Sequence, residues 1–116
     1  MAITSCLTNT FKEELLQGHH SFNASGDTPA GSAFKIALYT SSADLDTTTT
    51  VYTTSAEVAS GGGYTTAGEA LTNTGVAKST TTSYTDFSDV SWTSASFTAR
   101  GCMIYNSSTI SGLTTD

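Results

Sequence analysis

Few side chains in this sequence have the types and spacing that chemistry needs, and each set has a simpler reading. His19 and His20, with Asp27 downstream, offer ligands for a metal ion. Adjacent histidines on an extended loop point in different directions, and no third ligand follows at a usual spacing, so a solvated loop is expected. Asp44 and Asp46 among Thr hydroxyls, and Asp86 with Asp89, are oxygen-rich enough for calcium. Neither stretch has the loop pattern with its closing Glu, and turn residues that cap backbone amides fit both. Glu13 and Glu14 are expected on an exposed helix face as surface charges, not as an acid/base pair. Gly61-Gly62-Gly63 lacks the Lys-Ser/Thr of a phosphate loop and reads as a turn. Ser and Thr abound, but no motif sets one beside a His and an Asp. The sequence therefore nominates no catalytic, cofactor-binding or metal-ligating residue.

Cys6 and Cys102 sit near opposite ends without metal-ligand spacing, and are expected to be reduced and mostly buried. A disulfide between them requires neighbouring strands. Asn23 and Asn106 match the N-glycosylation pattern, which carries no weight without secretion. Tyr64, Tyr84, Phe87 and Trp92 read as core aromatics, with a subunit contact as the alternative.

The elements that position these residues follow from composition. The 116 residues fit one small domain with a modest core. About a third are Ser or Thr, well above ordinary usage. That disfavours long helices and suits half-buried strands. The net charge of −6, with four basic residues in all, speaks against a nucleic-acid surface. No apolar run reaches the length of a membrane span. The start has no basic region followed by an apolar stretch, so the expected setting is a cytoplasm until assembly.

Residues 1–9 read as an extended arm. Thr10 followed by Glu13 forms a capping-box pattern for one short helix ending at Gly18, with Phe11, Leu15 and Leu16 on one face. The clearest strand runs from Phe34 to Thr40, with Phe34, Ile36 and Leu38 opposite Lys35, Ala37 and Tyr39. Val51-Tyr52 and Glu57-Val58 are candidate short extended pieces. Further strands are expected near 69–71, 75–78, 83–87, 90–92 and 98–105. In the last, alternation is broken, as expected if both faces are covered or Gly101 marks a bulge. The expected fold is mainly β: a β-sandwich or small barrel with one short N-terminal helix, the single domain covering residues 10–116.

Four blocks recur in an order that resembles a family of small virion structural proteins of tailed bacteriophages. They are the helix block at 11–18, the strand Lys35-Ile36-Ala37-Leu38-Tyr39-Thr40-Ser41, the segment from Glu57-Val58 through Gly63-Tyr64-Thr65 to Gly68, and the segment from Asp89-Val90 through Trp92 to Phe97-Thr98-Ala99-Arg100. The third has Ala67-Gly68 where two glycines are usual. Members usually continue with further strands after the segment matching Ile104-Tyr105-Asn106-Ser107, whereas residues 107–116 are polar here; either this is a short member or the sequence is incomplete, and if strands are missing, a sheet edge is left for a neighbouring subunit to close. The resemblance implies a non-enzymatic virion component assembled in the bacterial cytoplasm, foremost a capsid decoration (cement) protein. Its implied partners are the major capsid protein and further copies of itself, as a trimer or hexamer, and neither nucleic acid nor membrane. The amino-terminal arm is then a candidate for reaching a neighbour. A tail, neck or fibre-associated protein, or a carbohydrate-binding module for host recognition, is the alternative. No catalytic residue is carried over by the resemblance.

Overall fold

The computed structural model describes residues 2–108. Among them the order is α1 (Asn9–Leu16), β1 (Phe34–Tyr39), β2 (Glu69–Ala70), β3 (Asn73–Ser79), β4 (Thr82–Phe87) and β5 (Gly101–Asn106). The fold is mainly β, with one antiparallel sheet in the order β2-β1-β5 and a second formed by the β3-β4 hairpin. Among the described residues the strands do not close into a barrel.

Helix α1 starts earlier than the capping-box pattern places it. The cap is Thr8, in extended conformation, and its hydroxyl accepts from the Phe11 amide at 3.2 Å. The Asn9 amide is taken by Thr47 O at 2.8 Å, so the chain is already anchored where the helix begins. Phe11 therefore holds the third helical position that the pattern assigns to Glu13. The end is a Schellman turn: Gly18, at φ +80, donates to Leu15 O, and His19 donates to Glu14 O. The buried face is not the expected leucine stripe. Glu14 is buried, while Leu15 is exposed and Leu16 is 91 % exposed.

Strand β1 is central, and both its faces are covered. Alternation places Phe34 on one face, where it stacks on Phe22 with centroids 4.7 Å apart and meets Phe87 edge-on at 5.6 Å. The other face carries Ala37 and Tyr39 into a core with Ala43, Leu45 and Tyr105. Pairing with β5 is continuous from Phe34 opposite Asn106 to Tyr39 opposite Gly101, and the Arg100 amide just before it also donates to Tyr39 O at 2.7 Å. Its glycine has a packing reason, since an added Cβ would lie 2.9 Å from Ile3 Cδ1.

Two further strand expectations are corrected. The segment expected as a strand at 90–92 is irregular: Ser94 is at φ +53, Ser96 donates to Gly62 O, and Trp92 and Phe97 lean on Tyr64. This coil caps the glycine turn, and the strand expected from residue 98 begins at Gly101. The amino-terminal segment is extended, but it lies on its own chain. Ile3 bridges Leu45 in parallel, Thr4 donates to Leu45 O, and Leu45 donates to Ala2 O.

Gly68 fixes how closely the loop before β2 approaches β1. It sits at φ +77, and a Cβ there would lie 1.8 Å from Ile36 O. The substitution Gly68→Ala should lower the unfolding free energy by at least about 3 kcal/mol, combining backbone strain with a backbone clash. Gly26→Ala, where nothing lies within 4 Å, should stay within about 0.5 kcal/mol of the parent. Urea unfolding of the two variants checks both.

Candidate functional site

Several acid/base side chains among the described residues are turned to structural use. Glu14 and His20, expected on a helix surface and in a solvated loop, are both buried. The Schellman turn reverses the chain just after Glu14, and the reversal brings His20 back against it. Asn106 Oδ1 accepts from the Ser108 amide at 2.8 Å, which orients its Nδ2 toward His20 Nδ1 at 2.8 Å. His20 Nε2 is then the nitrogen that donates to Glu14 Oε2, at 2.9 Å. The relay ties α1 to the end of β5, and Phe11 covers the His20 ring at 4.6 Å. Asn106, matched to a glycosylation pattern in the sequence, is 2 % exposed. Sequence reasoning missed this relay because its members are brought together only by the fold.

The second polar centre is Glu57. Its Oε1 accepts from the Tyr64 hydroxyl at 2.6 Å and the Ala67 amide at 2.7 Å, and its Oε2 accepts from the Tyr52 hydroxyl at 2.5 Å. Tyr64 Oη in turn accepts from the Leu38 amide at 3.0 Å, and the Tyr105 hydroxyl donates to Ala67 O at 2.8 Å. The block that begins Glu57-Val58 and runs through Gly63-Tyr64 to Gly68 is thus a loop closed on its own carboxylate. Ala67 adopts φ +80, a left-handed conformation that costs a residue with a Cβ about 1 kcal/mol.

The remaining candidates do not converge. Asp46 accepts from the Thr48 hydroxyl and amide, which hold its carboxyl below the usual range. Asp44 is lowered first by the Ala2 amide, and Asp86 accepts from the Phe87 amide. Gly61-Gly62-Gly63 is a turn with all three residues at positive φ, bridged from Gly61 to Tyr64. Among the described residues no three His, Cys, Asp or Glu side chains group to hold a metal ion. No helix among them is long and apolar enough to cross a membrane. Of the expected core aromatics, Tyr64 is buried, Trp92 and Phe87 are half-buried, and Tyr84 is exposed on the outer hairpin.

What the fold leaves on the outside is an apolar cleft of about 670 Å³ beside β5. Its walls include Leu7 of the amino-terminal segment, Phe11 of α1, Val51, Phe87 of β4, and Met103 and Ile104 of β5. Among its described lining residues only Asp46 and Arg100 are charged. Cys6 and Cys102, expected to be mostly buried, are exposed and free, and both line this cleft. The physical reason is the alternation of β5, which directs Cys102 and Ile104 away from the Tyr39 core. Comparison with known protein families, curated proteins and solved structures finds no match.

Removing the Glu57 carboxylate strands three donors at once. Glu57→Ala should cost about 3 kcal/mol of stability in chemical denaturation, and Tyr52→Phe about 1 kcal/mol. The phenols add a pH dependence. Burial first, with Glu57 adding to it, pushes Tyr39, Tyr52, Tyr64 and Tyr105 above the usual tyrosine range. The folded state therefore favours the neutral phenol. Its contribution is complete below the unfolded value of about 10 and is lost as pH rises toward the folded values. Denaturation midpoints measured from pH 8 to 11.5 should begin to fall near pH 10, and Tyr52→Phe should shallow that fall.

Proposed function

We propose that this chain is a structural component of a tailed-bacteriophage virion, foremost a decoration (cement) subunit on the outer shell. The observation that carries the reading is the mainly apolar cleft, with Asp46 and Arg100 its only charged lining residues among those described and Leu7 and Ile104 exposed in it, on a chain of net charge −6. Apolar surface that a fold leaves uncovered marks a place where another protein sits. A cement subunit adds buried interface to the shell, and the shell gains stability by mass action. The major capsid protein is the partner in this reading, with symmetric copies of the chain as a trimer or hexamer. The protein acts without catalysis, cofactor, nucleic acid or membrane, and its place is the virion. The two small sheets are then parts of a sandwich-like body that a neighbouring subunit completes. The resemblance of the four ordered blocks supports the same reading.

A tail, neck or fibre position uses the same surface at another place in the particle. The carbohydrate-binding alternative is less favoured, because it needs aromatics exposed beside polar groups. Here Tyr64 is 2 % exposed, and Trp92 leans on Tyr64 and Phe97.

The copy number of the chain in purified particles, measured by quantitative mass spectrometry against the major capsid protein, tests the proposal. A ratio near the abundance of the capsid protein is the expected result. A count of one ring per particle moves the chain to the tail or neck, and absence from particles overturns the reading.

A further inference from the structure

The edges of this fold are treated unequally. β2 is two residues long and begins with Glu69. The hairpin carries Lys78 and Asp86 and breaks register between Asn73 and Gly75. Short length, charge and bulges are the devices that keep other strands off a sheet edge. β5 has none of them: it is six residues, Gly101-Cys102-Met103-Ile104-Tyr105-Asn106, without a charge, and its outer side has no strand among the described residues.

The phase of its backbone is fixed by the neighbours of β1. Leu71 donates to Phe34 O and Val58 to Leu38 O, so the even residues of β1 bond on the β2 side. Its odd residues therefore face β5, where Lys35, Ala37 and Tyr39 stand opposite Tyr105, Met103 and Gly101. The antiparallel pattern then turns the N–H and C=O groups of Cys102 and Ile104 outward. Residues 101–105 line the apolar cleft together with residues 3–8 of the amino-terminal segment. An added extended strand is the kind of partner that an unpaired strand edge beside apolar surface takes. The folded edge of a second copy suits it less, because that edge brings its own amino-terminal segment and the same net charge of −6.

We propose that the outer edge of β5 is a strand-addition site. An extended, uncharged and mainly apolar segment of a neighbouring virion subunit lies in the cleft and pairs with the backbone of Cys102 and Ile104. Main-chain hydrogen bonds supply affinity, and the cleft selects apolar side chains at alternate positions. The inference rests on the virion reading and deepens it by naming how the partner is held.

Ile104→Pro separates the two. Proline at 104 deletes an N–H that points outward and leaves the bonds of Met103 and Tyr105 to β1 intact. Ile104→Val keeps both the N–H and an apolar side chain, so comparing the two variants isolates the backbone donor. Purified wild-type chain and both variants are added to particles assembled without the chain, and binding is read by co-sedimentation. Wild type should bind, and Ile104→Pro should bind about tenfold or more weakly than Ile104→Val. Failure of wild type itself to bind overturns the virion reading. Binding of wild type with equal binding of a folded Ile104→Pro overturns the strand-addition site alone.

Amide hydrogen exchange of the wild type keeps the test decisive if the proline variant does not fold. Protection at Cys102 and Ile104 should rise at least about tenfold on particle binding, and unchanged exchange overturns the proposal. Protection of the same two amides in the free chain, at all concentrations or only where it dimerises, also overturns it. The first result makes the occupant a segment of the same molecule, and the second makes it another copy.

Discussion

Three donors converge on the carboxylate of Glu57, and the position of most of the central sheet follows from that convergence. The Tyr64 hydroxyl and the Ala67 amide close residues 57–67 into a loop, while Tyr52 reaches in from the preceding segment. The loop then delivers Tyr64 Oη to the Leu38 amide and the Ala67 carbonyl to Tyr105. β1 and β5 are thus gripped from one side by a single acidic residue acting through tyrosines. Charge-assisted hydrogen bonds of this kind are stronger than neutral ones, and the partly buried setting raises the cost of breaking any one of them.

Such a network matters because the apolar core is small. The central cluster is Ala37, Tyr39, Ala43, Leu45 and Tyr105, in which two alanines contribute little area and two tyrosines bring hydroxyls that need partners. Tyr39 finds Thr53 O and Tyr105 finds Ala67 O. On the opposite face of β1 the phenylalanines of residues 22, 34 and 87 supply the packing, and the Glu14–His20–Asn106 relay ties the helix to the sheet. A chain rich in Ser and Thr compensates for scarce aliphatic surface with satisfied polar networks around aromatic rings. Glu14, His20 and Glu57 are the titratable groups used in doing so.

The outer surface follows from the same arrangement. Because β1 is covered on both faces and paired on both edges, exposure is displaced to the periphery: the two-residue β2, the projecting hairpin and the outer edge of β5. Alternation along β5 sends Met103 and Tyr105 inward and leaves Cys102 and Ile104 facing out. The apolar cleft is therefore a consequence of how the core was built, and it is lined by a strand whose outer edge is unpaired among the described residues.

The mainly β character was legible in composition, and β1 in the alternation of residues 34–39, because strand preference and period are local properties. The glycine turn at 61–63 and the β4 segment were legible for the same reason. The exact cap of α1 was not, because the hold of Thr47 on the Asn9 amide is a contact from another part of the chain. Glu14 and His20 read as surface residues, since nothing local announces that Asn106, 86 positions beyond His20, will complete their bonding. Sequence by itself determined which segments extend, where the chain turns, and how few groups carry charge. Only tertiary structure decided which polar residues went inside, which aromatics met, and which edge stayed open. Those outcomes depend on partners distant in sequence, and burial of a polar group is stable only once its partner is in place.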